Sequence, residues 1–297
     1  MRNVTIVYHK VDFDGLGSAL IAKDVMKDSD HVIELIGWNY GDQIPNLDRD
    51  VVVLVDISFP KEIMRSLDPN RTIWIDHHVS ALKDAEEGGY NNLPGIRRVG
   101  IGAIALTWEL FHSEGELPEV ISLLAKHDVW LKDGEWESRT VPFQRGLRTS
   151  LGMSLEKLEK IWPQLLRGEK IEELIDLGRT IDKYDQDRFS VALKRFSFEA
   201  KIGDLTAICM MSNDWGGHLF RSVESQYPVL ACINVDAQKS RQGGKNIYQM
   251  SLYGTDRCDA DLSIIAKAHG GGGHARACGF PLTEEEFIHL MTRRELI

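Results

Sequence analysis

A chain of 297 residues is long for one compact core and points to two domains. Hydrophobic residues at 43% and charged residues at 27% describe an ordinary globular protein, and no apolar run approaches the ~18 residues that a membrane span needs. The formal net charge of −10, with no basic run, argues against wrapping long nucleic acid and for a small ligand held by local cations or metals.

The chain enters an apolar strand at once, over residues 4–8, with no signal-peptide pattern, which sets the expectation of a cytoplasmic protein. His9, Asp12 and Asp14 follow the strand, and Gly15 and Gly17 ease a tight entry into a helix carrying Leu20, Ile21, Val25 and Met26. Asp12 and Asp14 stand two apart, a spacing that points both carboxylates the same way in extended backbone. Capping of the helix by Asp14 would account for one acid but not for two acids and a histidine. A second strand is expected over 31–38 and a continuous apolar one over 51–57, the latter ending on Asp56. An acid in such a run is costly unless something pairs with it. A short helix over 60–67 precedes a strand over 71–76, which stops on Asp76, His77 and His78. One carboxylate and two imidazoles suit a metal site, with the acid orienting a ring through its second nitrogen.

Strand and helix alternate through the first hundred residues, which predicts an α/β protein whose open, mostly parallel sheet carries helices on both faces. Ligands of such sheets bind beyond the carboxyl ends of the strands. Asp12 and Asp14, Asp56, and Asp76 to His78 all fall at such ends, a coincidence that a set of bland surface turns does not explain. Helices are expected over 102–112 and 118–131, the second ending in His127 and Asp128, where the acid is either a loop residue with no role or a ligand delivered from the side. The segment 139–166 reads as helical with a kink near Pro163, and 170–198 as a long helix between two lobes, with the boundary between Lys183 and Gly203.

The last third reads as a smaller α/β domain: strands over 205–211, 228–235 and 246–253, a helix around 218–226 and another over 261–269. It ends in Gly270, Gly271, Gly272, Gly273, His274 and Arg276. Four glycines in a row imply close backbone approach by a ligand or a flexible linker, and a linker is not normally followed by His, Arg and a strand. Backbone N–H groups of such a loop can cradle an anion. All four cysteines, Cys209, Cys232, Cys258 and Cys278, lie in this third without a CxxC pair, as expected of reduced thiols in a reducing compartment.

The Asp76-His77-His78 triplet, the Asp12/Asp14 pair before Gly15, Asp56, Asp128 and the GGGGH loop together resemble the DHH phosphoesterase superfamily with its DHH-associated C-terminal domain. The likeness covers roughly 1–130 and 200–282, and its pairing of domains is similar to nano-RNases, cyclic-dinucleotide phosphodiesterases and single-strand exonucleases. It implies a catalytic metal-binding domain over 1–135, a helical linker over 136–200 and a substrate-binding domain over 201–297. It implies two divalent ions, manganese by preference and magnesium or cobalt as alternatives. Asp56 would bridge them, His9 and Asp12 would complete one, and Asp14, His77 and Asp128 the other. His78 would face the substrate phosphate and Asp76 would orient a neighbouring histidine. Gly271, Gly272, Gly273, His274 and Arg276 would bind substrate. The serine-leucine-arginine common in that domain is Ser251-Leu252-Tyr253 here, which shifts such contacts to Arg257 or Arg241. His9 precedes Asp12 by three residues where many members place four.

The expected activity is hydrolysis of short oligonucleotides by a water activated between two metals, with no long duplex and no membrane as partner. Within the same chemistry, the alternatives are a cyclic or linear dinucleotide or a nucleoside bisphosphate as substrate. From another class, the alternative is a nucleotide-binding regulator without catalysis, against which the full set of candidate ligands speaks. The GGGGH loop argues against the two-domain inorganic pyrophosphatases.

Overall fold

The computed structural model describes residues 2–27, 31–112, 116–212, 216–235 and 248–296. The chain divides into two units, Met1–Asp182 and Lys183–Ile297.

In the first unit, β1 (Arg2–His9), β2 (His31–Trp38), β3 (Val51–Val55) and β4 (Thr72–Ile75) form a wholly parallel sheet in the order β2-β1-β3-β4. The pleat sorts the β-branched runs between two cores. Val4, Ile6, Tyr8, Val53 and Val55 enter one. Val7, Val52, Leu54 and Trp74 enter the other. Both faces are therefore covered, and this is why these strands read as continuous rather than alternating apolar runs. Helices α1 (Phe13–Lys27), α4 (Ala103–Phe111) and α5 (Glu119–Asp128) pack on the first face. Helices α2 (Lys61–Ser66) and α3 (Val79–Gly88) pack on the second.

The first core continues past residue 135. A π-helical turn (Trp136–Thr140) leads into α6 (Val141–Leu151), α7 (Leu155–Leu166) and the long α8 (Ile171–Phe196). Phe143, Leu147, Leu158, Trp162, Leu165, Ile171, Leu174 and Ile175 all join the sheet-covering core, so much of the stretch expected as a linker is core material. The expectation of a single kinked helix over 139–166 is corrected. The break falls at Gly152, whose φ of +61° ends α6, and Ser154 restarts the chain by accepting from the Lys157 amide at 3.3 Å. Pro163 lies inside α7, where it removes one backbone donor near the helix end.

The second unit is a seven-stranded mixed sheet. It consists of β5 (Phe198–Ile202), β6 (Leu205–Met211), β7 (Val229–Val235), β8 (Tyr248–Gly254), β9 (Gly272–His274), β10 (Ala277–Leu282) and β11 (Glu295–Leu296). The order is β11-β5-β6-β7-β8-β10-β9. Helices α9 (Leu262–Ala268) and α10 (Glu284–Arg293) accompany it, the latter opened by a Thr283–Glu286 capping box. The helix expected around 218–226 is instead a short 3-10 turn (Gly216–Phe220) followed by turns. The cysteines are free and buried, and burial pushes the Cys209 and Cys232 thiols up to about 12, which suits inert core residues. Among the described residues no helix is long and apolar enough to cross a membrane.

Candidate metal centre

The sheet order places β1 between β2 and β3, so the chain steps from β1 to β2 on one side and then returns past β1 to β3 on the other. Such a reversal opens a crevice at the carboxyl ends of the strands. His9 closes β1, Asp56 follows β3 directly, and Asp76 to His78 follow β4. Asp128 is the last residue of α5.

Asp56 is the centre of the group. It is 1% exposed and sits at φ +60°, a left-handed backbone that aspartate tolerates better than bulky residues. Its Oδ2 lies 3.4 Å from His9 Nδ1 and its Oδ1 lies 3.2 Å from His77 Nε2. His9 Nδ1 also meets Asp12 Oδ2 at 2.5 Å, and His77 Nε2 meets Asp128 Oδ2 at 3.2 Å and Asp14 Oδ2 at 3.8 Å. Three sets of side chains therefore bring ligand atoms within 4.8 Å of one another: His9, Asp12 and Asp56; Asp14, His77 and Asp128; and Asp56, His77 and His78. The third set joins the first two through Asp56 and His77.

The paired acids behave differently from the extended-backbone expectation. Asp12 Oδ1 accepts from the Gly15 amide at 2.8 Å, so Asp12, not Asp14, caps α1. Gly15 is required here by close approach, since a Cβ would fall 2.2 Å from the His9 carbonyl oxygen. Asp14, 2% exposed, reaches α4 instead: Ala103 N donates to its Oδ2 at 2.6 Å and Ile104 N to its Oδ1 at 3.0 Å. These bonds occupy one lone pair on each oxygen and leave the others for a cation.

Asp76 stands behind the group, fully buried. Its Oδ1 accepts from the His77 amide at 2.7 Å and the His78 amide at 3.1 Å, and lies 2.7 Å from His78 Nδ1. It thereby orients the His78 ring through Nδ1. Asn39, which the sequence reading passed over, plays the same part for His9: its Oδ1 lies 3.2 Å from His9 Nε2. That contact turns Nδ1 toward Asp12 and Asp56, where a bound cation would take the place of the Nδ1 proton. The available signal was its position just past Trp38, the end of β2, the same strand end that flagged the other ligands.

The electrostatics suit cations. Burial, then the Asp128 and Asp56 charges, hold the Asp14 carboxyl well above its ordinary value. Burial, then Asp56, push Asp128 up to about 7. Burial raises the Asp56 carboxyl, but His77 and His9 outweigh it and hold the group well below the usual carboxylate range. Burial lowers the histidines, but Asp12 and Asp56 lift His9 to about 10, and Asp76 lifts His78 to about 9. Both Asp56 oxygens, His9 Nδ1 and His77 Nε2 are buried without a well-directed hydrogen bond. The carboxylates of Asp12, Asp14, Asp56 and Asp128 carry the charge that two divalent ions would balance, and oxygen with imidazole is a donor set such ions accept. The residues present fit such a pair.

The remaining candidates lie in the second unit. Gly271, Gly272, Gly273 and His274 run from the α9 end into edge strand β9. Two of these glycines have reasons within the chain: a Cβ on Gly271 would fall 2.1 Å from the Gly279 oxygen, and Gly273 has φ +130°. Gly272 has open space around it. Arg276, 56% exposed, donates from Nη1 to the Thr255 carbonyl oxygen, which leaves most of its fork available. Arg257 donates from Nη1 to the Ser225 oxygen at 3.0 Å. Arg241 lies outside the described residues.

No family model matches the chain. It is 20% identical over 314 residues to uncharacterized protein R106 of Acanthamoeba polyphaga mimivirus, covering 92% of this chain. The chain spans 66% of that relative's length, just under two thirds. Among solved structures, the pGpG-specific phosphodiesterase PggH of Vibrio cholerae matches with a TM-score of 0.58 at 14% identity, over 98% of this chain and 97% of that one. An exopolyphosphatase-related protein of Bacteroides fragilis matches with a TM-score of 0.50 at 14% identity, over 99% and 91%. The chain has the fold of these proteins.

Proposed function

We propose that the chain is a metal-dependent phosphodiesterase of the DHH superfamily that hydrolyses short oligonucleotides. The observation that carries the reading is the convergence of two three-residue ligand sets on the buried, hydrogen-bond-starved carboxylate of Asp56. Asp56 would bridge two ions, with His9 Nδ1 and Asp12 completing one and Asp14, His77 and Asp128 the other. Such a pair, manganese by preference, would lower the pKa of a shared water and stabilise the leaving oxygen of a phosphodiester. His78, oriented through Nδ1 by Asp76, would donate from Nε2 to a phosphate oxygen. Gly271–Gly273, His274 and Arg276 would hold a further anionic part of the substrate by backbone and fork donors. The neighbour named for pGpG makes a linear dinucleotide the first substrate to test. The acidic balance of the chain disfavours a long polymer.

The test is turnover of the purified protein with manganese over oligonucleotides of increasing length, cyclic dinucleotides, nucleoside bisphosphates and pyrophosphate. The expected result is the highest kcat/KM on the shortest linear oligonucleotides. Absence of phosphodiester turnover by protein that holds its metal would overturn the reading. Asp56→Ala should lose both ions by metal analysis and more than about a hundredfold in rate, since even the partners of metal ligands are worth ten- to a hundredfold. Retained turnover within about tenfold, with metal content intact, would sink the bridging role.

A further inference from the structure

Helix α8 buries one face and leaves apolar residues on another in water. Ile171, Ile175, Phe189 and Leu193 are buried at the spacing of a single helical face. Leu177, Tyr184 and Val191 fall outside that face and are 38%, 64% and 68% exposed. They recur every seven residues, so they keep one line along the helix and drift only ~20° per repeat. Tyr184 keeps its exposure although the Arg188 guanidinium lies 5.3 Å from its ring centroid. A core role does not account for this line. Asp176, Lys183, Asp187 and Lys194 border it, exposed and charged, so the apolar stripe is narrow and sharply edged.

The order of residues along the stripe is symmetric about Tyr184. Leu177 and Val191 stand seven residues before and after it, and Thr180 and Arg188 stand four. Eleven residues out stand Glu173 and Arg195, an acid and a base. Glu173 is 75% exposed in its side chain and meets Lys170 at 3.7 Å, and the exposed Arg195 lies 5.2 Å from the ring centroid of its neighbour Phe196. Turning the helix end for end therefore lays apolar on apolar and acid on base. A two-fold contact needs this property, because each residue that touches a second across the axis is touched by it in return. A parallel pairing would set Glu173 against Glu173 and Arg195 against Arg195, which like charges disfavour.

We propose that this stripe is a self-association surface, on which two copies of the chain pair their α8 helices antiparallel about a two-fold axis at Tyr184. Tyr184 would meet its own copy. Leu177 of one copy would meet Val191 of the other, and Glu173 of one would meet Arg195 of the other. The spacing and the charges belong to one continuous helix, and the inference does not depend on the phosphodiesterase reading. From Glu173 to Arg195 the stripe is ~33 Å long and about one helix diameter, ~10 Å, wide. That is less than the ~800 Å² per partner of a standard interface, so the dimer is expected to be reversible, dissociating in the micromolar range.

Sedimentation equilibrium of the full chain over about 1–200 μM reads the dissociation constant, with unfolding midpoints recorded alongside. Tyr184→Glu should leave a monomer throughout that range, because it puts two like charges on the axis. Glu173→Arg and Arg195→Glu should each weaken the dimer by about threefold to tenfold, since each removes the same exposed ion pair twice. The double variant carrying both reversals should return the constant toward that of the parent. Tyr184→Cys should link two copies on oxidation, because a residue on the axis faces itself. Lys194→Cys, also exposed on α8, should not, and the four native cysteines are buried. A parent that is monomeric at every concentration would overturn the proposal, as would a dimer that survives Tyr184→Glu. A double reversal no tighter than the single ones, or Lys194→Cys linking as readily as Tyr184→Cys, would overturn the antiparallel pairing.

Discussion

Asn39 shows how much of a candidate metal site lies in residues outside the ligand set. His9 is the candidate ligand with the unusual spacing, and spacing alone does not say which ring nitrogen it offers. The 3.2 Å contact from Nε2 to Asn39 Oδ1 says so, by leaving Nδ1 for Asp12 and Asp56. Loss of such an orienting partner typically costs ten- to a hundredfold in metal affinity. Asn39→Ala should therefore raise the manganese concentration needed for half-maximal activity by roughly that factor, with kcat recovered at saturating metal. Unchanged metal dependence would show that His9 is held otherwise. The acids and histidines were legible in the sequence because each lies just past a strand end or at a helix terminus, where a polar side chain is conspicuous. Asn39 was not, because an asparagine in a loop is ordinary, and only the third dimension brings it to His9. The division of labour between Asp12 and Asp14 was hidden for the same reason: the amides that Asp14 accepts from lie some ninety positions away.

Strand β4 carries the triplet and stands at an edge of the first sheet. An open edge is a liability, and this one is covered. Trp74 N donates to the Pro94 oxygen at 2.8 Å, Asp76 N to the Ile96 oxygen at 3.3 Å and Arg98 N to the Asp76 oxygen at 3.2 Å. Arg97 locks the cover down. Its Nη1 donates to the Trp74 oxygen at 3.0 Å, its Nη2 to the Leu93 oxygen at 2.8 Å, and its guanidinium lies 5.0 Å from the Trp74 ring centroid. Hydrogen bonds from a charged donor contribute about 1.5–3 kcal/mol, so Arg97→Ala should destabilise the protein by about 2 kcal/mol in urea unfolding. It should also weaken metal binding, because His77 and His78 hang from the strand it secures. Lysine cannot reproduce the fork, so Arg97→Lys should behave like the alanine variant. An unshifted midpoint would deny the segment its part in holding β4. The four strands of the first sheet were legible from apolar runs. The cover over β4 was not, since 94–98 has no strand pattern and pairs only through context. Nor was the destination of α6 and α7, whose composition announces helix but not which surface they bury.

At the scale of the whole molecule, the crowded carboxylates tie stability to pH and to metal. In the metal-free protein Asp128 titrates near 7, above its ordinary value of 3.8, so the folded form keeps a proton that the unfolded form releases. Stability then falls as pH rises from about 4 to 7. His9 and His78, lifted to about 10 and 9, stabilise fully below about 6.5 and lose that contribution as pH rises through 9 to 10. The depressed Asp56 acts in the opposite sense, but only below about 4. Bound cations displace these protons, so the rise in Tm on adding manganese to chelator-treated protein should grow between about pH 5.5 and 8. A rise that is flat with pH would mean that these groups are not the ligands.

Helix α8 runs unbroken through the point where the chain divides, Asp182 to Lys183. Its first part sends Ile171, Leu174 and Ile175 into one core, and its later part sends Phe189 and Leu193 into another cluster of the second unit. The two units are therefore not interchangeable cassettes. A gene fusion or truncation at the contact boundary would cut a hydrogen-bonded rod in mid-turn, and each fragment would start or end on a frayed, uncapped helix. A swap between relatives has its natural seam after Phe196, where α8 ends and β5 begins, and a graft made there would carry the rod whole with the first unit.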